Sequence, residues 1–121
     1  MKIERFEDIE SWREARELTR KVYSLSTTPR FLRDLGLRDQ IQRAAVSIMS
    51  NIAEGFDGGS HKVFATFLTY SYRSASEVQS LLYVALDSQY IDQVVFQTNF
   101  EHLGKIKRLI GGMIRYLRNT K

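Results

Sequence analysis

The sequence has no cysteine and only one proline, Pro29, in 121 residues. Without cysteine there is no disulfide framework, no thiol nucleophile and no thiolate ligand for zinc. Nothing points to an oxidising compartment, so a cytoplasmic location is expected. One proline and seven glycines are few breakers, which favours long helices. Long apolar runs are also missing: no stretch approaches the ~20 residues that span a bilayer. The opening segment, Met1-Lys2-Ile3-Glu4-Arg5-Phe6-Glu7-Asp8, is too charged for a signal-peptide apolar region. There is no low-complexity tract and no convincing internal repeat.

The residues present are those of an ordinary folded domain. Hydrophobic residues make up 43% and charged residues 26%, which argues against disorder. The length predicts a single domain over residues 1–121.

Four helical patterns follow one another. The first runs from about Asp8 to Leu25, with Ile9, Trp12, Ala15, Leu18, Val22 and Leu25 in one stripe. Ser26-Thr27-Thr28-Pro29 ends it, because Pro29 disfavours helical geometry at Thr28. The second starts near Leu37 and carries Ile41, Ala44, Ala45, Ile48 and Ile52. Gly55 reads as its C-terminal cap, with Gly58-Gly59 confirming the break. Ser60 is the expected N-cap of the third helix. Phe64, Leu68, Ser71, Ala75, Val78, Leu82 and Ala85 then alternate steps of four and three, a heptad-like seam over His61 to Asp87. Further apolar residues widen its stripe beyond one face. Asp92 caps the fourth helix, with Ile91 and Phe96 at hydrophobic-staple spacing. Phe100, Leu103, Ile106, Ile110, Met113 and Leu117 form its core stripe. Gly111-Gly112 within that stripe has two readings: weakness tolerated on an exposed face, or close approach of a neighbouring helix or subunit. The predicted fold is all-α, an antiparallel up-and-down four-helix bundle.

Signals for catalysis are poor. No GxGxxG or Walker-type loop is present. Asp57-Gly58-Gly59-Ser60 reads first as a helix–helix turn, and second as an anion-contact loop with Lys62 nearby. A two-metal carboxylate site needs Glu-x-x-His pairs on two helices. The two histidines, His61 and His102, are preceded at that spacing by Gly58 and Asn99. No metal, cofactor or catalytic residue is therefore expected, and both histidines read as surface groups. Glu54 reads as a structural hydrogen-bonding group, and Glu77 as a partner for Arg43 or Arg73. Trp12 belongs to the core stripe, with base stacking as the lesser reading.

The basic excess is concentrated. The net charge is +4, but Glu101 to Lys121 alone carries +5 and leaves the rest at −1. Lys107, Arg108, Arg115 and Arg118 are expected to project from an outer face of the fourth helix. Such a face can be simply solvated, can bind a phosphate backbone, or can meet a membrane surface. Part of it also complements the helix dipole.

The run Asp39-Gln40-Ile41-Gln42-Arg43-Ala44-Ala45-Val46-Ser47-Ile48-Met49-Ser50-Asn51-Ile52-Ala53-Glu54-Gly55 closely resembles the signature of the "four helix bundle protein" family. Members include proteins encoded in intervening sequences of bacterial 23S ribosomal RNA genes. Phe6 to Trp12 with Ala15, Phe64 to Leu68, Ser74 to Glu77, and Leu86 to Ile91 resemble other parts of the family pattern. Two positions depart from it. Met49 stands where proline is common, and Phe56-Asp57-Gly58-Gly59 stands where basic residues are frequent.

The resemblance implies an up-and-down four-helix bundle that assembles as a homopentamer. No enzymatic activity is established for the family. A related group serves reverse transcriptases of diversity-generating retroelements, where a basic pentamer engages nucleic acid and the enzyme. Together these readings predict a non-enzymatic homo-oligomer that binds RNA or another nucleic acid. Candidate contacts are Arg43, Lys62, Arg73, Lys107, Arg108, Arg115 and Arg118. The alternative is a protein-interaction scaffold without nucleic-acid contact.

Overall fold

The one proline stands at the start of a short helix that follows the first long helical stretch. The computed structural model describes residues 2–120. After a 3-10 turn at Phe6–Asp8, the helices are α1 (Glu10–Ser26), α2 (Pro29–Arg33), α3 (Leu35–Asp57), α4 (His61–Asp87) and α5 (Gln93–Asn119). The four long helices form the bundle, and α2 is a short addition.

Pro29 does not merely end α1. It occupies the first turn of α2, where its missing N–H has no helical partner to lose. The single turn that follows buries Phe31 completely. Phe31 packs against Tyr90 with ring centroids 5.3 Å apart, so α2 closes one end of the bundle over the α4–α5 turn. Asp34 then has two tasks. Its Oδ1 accepts from the Leu37 N–H at 3.1 Å, capping α3. Its Oδ2 accepts from the Tyr90 hydroxyl at 3.0 Å.

Side-chain contacts give the register and direction of the long helices. Gln40, Ser47 and Ile48 on α3 meet Glu77, Ser74 and Ser71 on α4, in reversed order. Tyr83 on α4 packs on Phe96 and Phe100 of α5, whereas Gln79 meets Lys107 further along. Thr19 bonds the Ala45 carbonyl and Gln42 bonds Ser26. Adjacent long helices are therefore antiparallel, in the spatial order α1–α3–α4–α5, with α5 returning to α1.

Small residues bring α3 and α4 close together. Ala44 and Ala75 are buried, and Ser71 is fully buried while donating to the Ile48 carbonyl at 2.7 Å. Gly55 belongs to this set. It lies inside α3, which continues to Asp57 and is capped by Gly58. A Cβ on Gly55 would stand 2.6 Å from the Phe67 Cβ. Its role is thus close helix contact and not helix termination. The true turn residue is Gly59, at φ +86°. Ser60 and Asp92 cap α4 and α5 as expected, accepting from Val63 and Val95. Trp12 is only half-buried, packed edge-on against Phe6.

Candidate functional site

The antiparallel register of α4 and α5 sets two polar stripes side by side. On α5 the stripe is Gly104, Arg108, Gly111, Arg115 and Arg118, spaced in alternating steps of four and three, so it follows one helix face. Tyr72 and Gln79, two turns apart on α4, face it. Between them lies a groove of about 450 Å³ lined by Tyr72, Gln79, Gly104, Lys107, Arg108, Gly111 and Arg115. It continues into a second groove of about 650 Å³, which shares Tyr72, Gly111 and Arg115 and adds Thr69, Arg73, Ser76, Ile114 and Arg118. Arg118 also borders a third hollow with His61, Lys62 and Thr66.

The glycines shape this surface. Arginine side chains on a helix lean toward the N-terminal turn. The Arg108 guanidinium comes within 3.5 Å of where a Gly104 Cβ would lie, and that of Arg115 within 3.6 Å of the Gly111 equivalent. Each guanidinium rests over the glycine four residues before it. Neither glycine makes close approach to another helix of this chain.

Lys107 departs from the outward projection expected of it. It is half-buried. Its Nζ donates to Gln79 Oε1 at 3.1 Å and sits 5.0 Å from the centre of the Tyr72 ring. Gln79 is fixed in turn by donating to the Phe100 carbonyl at 3.2 Å. The buried end of the cluster is therefore held in place, while Arg73, Arg108, Arg115 and Arg118 are exposed.

Electrostatically this side is uncompensated. Among the described residues, no ion pair involves Lys62, Arg73, Lys107, Arg108, Arg115 or Arg118, and no carboxylate lines the three hollows. The α1 side differs. There Arg20 pairs with Glu17, Arg13 donates to the Glu7 carbonyl at 3.0 Å, and Arg16 lies over Trp12 at 6.0 Å.

Six of the seven sequence candidates thus share the α4–α5 side. Arg43 does not join them. It is exposed on α3, twelve residues before Gly55, or ~18 Å along the helix at 1.5 Å per residue. It does not sit beside the Gly58–Gly59 turn, and neither does Arg73. Glu77 takes its hydrogen bond from Gln40, at 3.3 Å, and not from an arginine. Glu54 is exposed.

His102 is not the surface group its polar neighbours suggested. Its side chain is 11% exposed, and Nε2 lies 2.7 Å from Glu14 Oε1. A charged carboxylate can only accept, so His102 donates from Nε2 and Nδ1 accepts from Lys21 Nζ at 3.1 Å. Lys105 completes the cluster, 3.3 Å from Glu14 Oε2. The hydrogen bond from His102, with Lys105 beside it, holds the Glu14 carboxyl below the ordinary carboxylate range. This cluster joins α1 to α5. His61 is exposed, with Nδ1 3.3 Å from the Thr120 carbonyl.

Tyr72, Gln79 and Gly104 join the cluster without having stood out in the sequence. The available signal was the repeated Gly-x-x-x-Arg at 104–108 and 111–115. Among the described residues no group of three or more His, Asp or Glu side chains is placed to hold a metal ion. No helix among them is long and apolar enough to cross a membrane.

A comparison with curated proteins finds no match. A family model described as "23S rRNA-intervening sequence protein" matches residues 7–112. That span begins in the 3-10 turn and takes in α1 to α4 and most of α5, leaving Arg115 and Arg118 beyond its end. With nearly the whole bundle inside the match, the chain belongs to the 23S rRNA-intervening sequence protein family.

Proposed function

We propose that this protein is a cytoplasmic homo-oligomer, expected to be a pentamer, that binds nucleic acid and performs no catalysis of its own. RNA is the first candidate ligand. The observation that supports this reading is the run of unpaired cations along α4 and α5, with Lys62 and Arg73 on one helix facing Lys107, Arg108, Arg115 and Arg118 on the other. Repetition of this face by rotational symmetry would enlarge the positive surface. Contacts of this kind are directed at phosphate, so binding is weakly sequence-specific and steeply salt-dependent.

Filter binding across a salt series tests the proposal. For a single strand, the slope of log K against log salt is about −0.7 per phosphate neutralised. The double variant Arg108→Gln with Arg115→Gln is expected to flatten the slope by one to two phosphate equivalents, on the order of 0.7 to 1.4. Absence of binding to structured and unstructured RNA even at low salt overturns the reading.

A second reading, a protein-interaction scaffold, draws on a different face of α4. Val63, Tyr70 and Val84 are 37%, 45% and 45% exposed and lie seven and fourteen residues apart on one line, with Glu77 between the last two. A partner recovered by pull-down that survives nuclease treatment favours this reading. Loss of every partner on nuclease treatment counts against it.

A further inference from the structure

We propose that the α4–α5 groove is selective for single-stranded over duplex nucleic acid, because one base stacks on Tyr72. This rests on the nucleic-acid reading above and adds the form of the ligand. Tyr72 is 37% exposed and is shared by both grooves. In the first groove Lys107 Nζ stands 5.0 Å from its ring centre. The second groove does not include Lys107. It borders Tyr72 with Ile114, Arg73 and Arg118. Lys107 thus stands over the ring from the first groove, while the second brings an apolar side chain and two arginines to the same tyrosine, the surroundings that suit a planar group with a phosphate beside it.

Gly111 helps to make that space, since it contributes no side chain to the part common to both grooves. Arg108 and Arg115 lie two helical turns apart, ~10.5 Å along α5, and Arg118 extends the row. A strand following this row can place phosphates on the guanidiniums and turn one base inward. A duplex presents the same charges but keeps its bases stacked and paired. An aromatic ring in a positive groove therefore adds affinity only for an unstacked strand, largely irrespective of base identity.

The test uses the full chain, a fluorescein-labelled 12-nucleotide oligouridylate and a labelled 12-base-pair RNA duplex, followed by fluorescence anisotropy at one salt concentration. Tyr72→Ala is expected to weaken binding of the single strand by about 5- to 150-fold, the usual worth of a base–aromatic stack, and to leave duplex affinity within about twofold. Tyr72→Phe is expected to retain single-strand binding, whereas Tyr72→Leu, which keeps apolar bulk without a ring, is expected to lose it. Circular dichroism melting of each variant checks folding. Equal losses on strand and duplex, or no loss in Tyr72→Ala and Tyr72→Leu, overturn the stacking proposal. Wild-type binding that falls across the filter-binding salt series would then leave the phosphate reading standing. Failure of the wild type to bind either RNA overturns both.

Discussion

An alanine methyl at position 55 would press on the Phe67 Cβ at 2.6 Å and the Phe64 ring at 3.1 Å. The same methyl at position 111 would meet only the tip of Arg115, at 3.6 Å. Gly55→Ala is therefore expected to lower stability by about 1–3 kcal/mol through overpacking. Gly111→Ala is expected to be neutral or to raise stability by up to ~1 kcal/mol, since alanine is the better helix former. Urea unfolding of the two variants, side by side, measures the contrast. Gln89 presents the opposite case. Tyr90 N–H bonds the Ala85 carbonyl and Gln89 N–H that of Leu86, both at 2.9 Å, which is the paired closure of a Schellman helix end. The residue in the left-handed position, φ +62°, is glutamine where glycine is usual. Gln89→Gly is expected to raise stability by about 1 kcal/mol, read as a higher melting temperature. In the sequence Gly55 reads as a helix end and Gly111 as a helix-interior glycine with two possible roles, because only the neighbouring helix decides what a missing Cβ leaves room for. Gln89 gave no sign at all, since its backbone angle is imposed by the closure around it.

At the scale of elements, the long helices were legible because each repeats its apolar stripe through several turns. Ser60 and Asp92 were legible as caps for the same local reason. The short α2 was not, since five residues are too few to repeat a 3.6-residue period and its one core residue, Phe31, stands alone. The α5 arginines were visible as a charged face, but their meeting with Arg73 and Tyr72 depends on the register between two helices. The α1–α5 seam was hidden likewise: Glu14 and His102 are 88 residues apart. Its charge chemistry makes a prediction. Glu14 titrates below the ordinary carboxylate range, so its ionised form stabilises the folded chain. That contribution is complete above the ordinary carboxylate range and disappears as pH falls through the lower folded value. Glu14→Gln is expected to be less stable than wild type at pH 7, with the gap closing toward pH 3. Urea titrations of both proteins at several pH values read it directly. A gap of constant size would show that the seam is held by packing alone.

For the whole molecule, the modest net charge of +4 is a poor description of a body with ion pairs on and between α1 and α5 and, among the described residues, none to the cations of the α4–α5 side. Repetition of the unpaired side is what the proposed assembly would provide. Sedimentation velocity at micromolar concentration is expected to find a species several times heavier than the 14.1 kDa chain, and a monomer would defeat the oligomeric reading. The spatial order of the helices has a kinetic meaning as well. Three of the four long-helix seams join successive long helices, and only α1 with α5 brings the two ends of the chain together. That last seam is also the thinnest. Loop closure is slowest to be rewarded where sequence separation is greatest, so α1 is expected to dock onto α5 after α3, α4 and α5 have assembled. In the native state the same seam is expected to open with the least free energy, and amide protons of α1 should exchange ahead of those in α3 and α4, the two helices flanked by successive long helices on both sides.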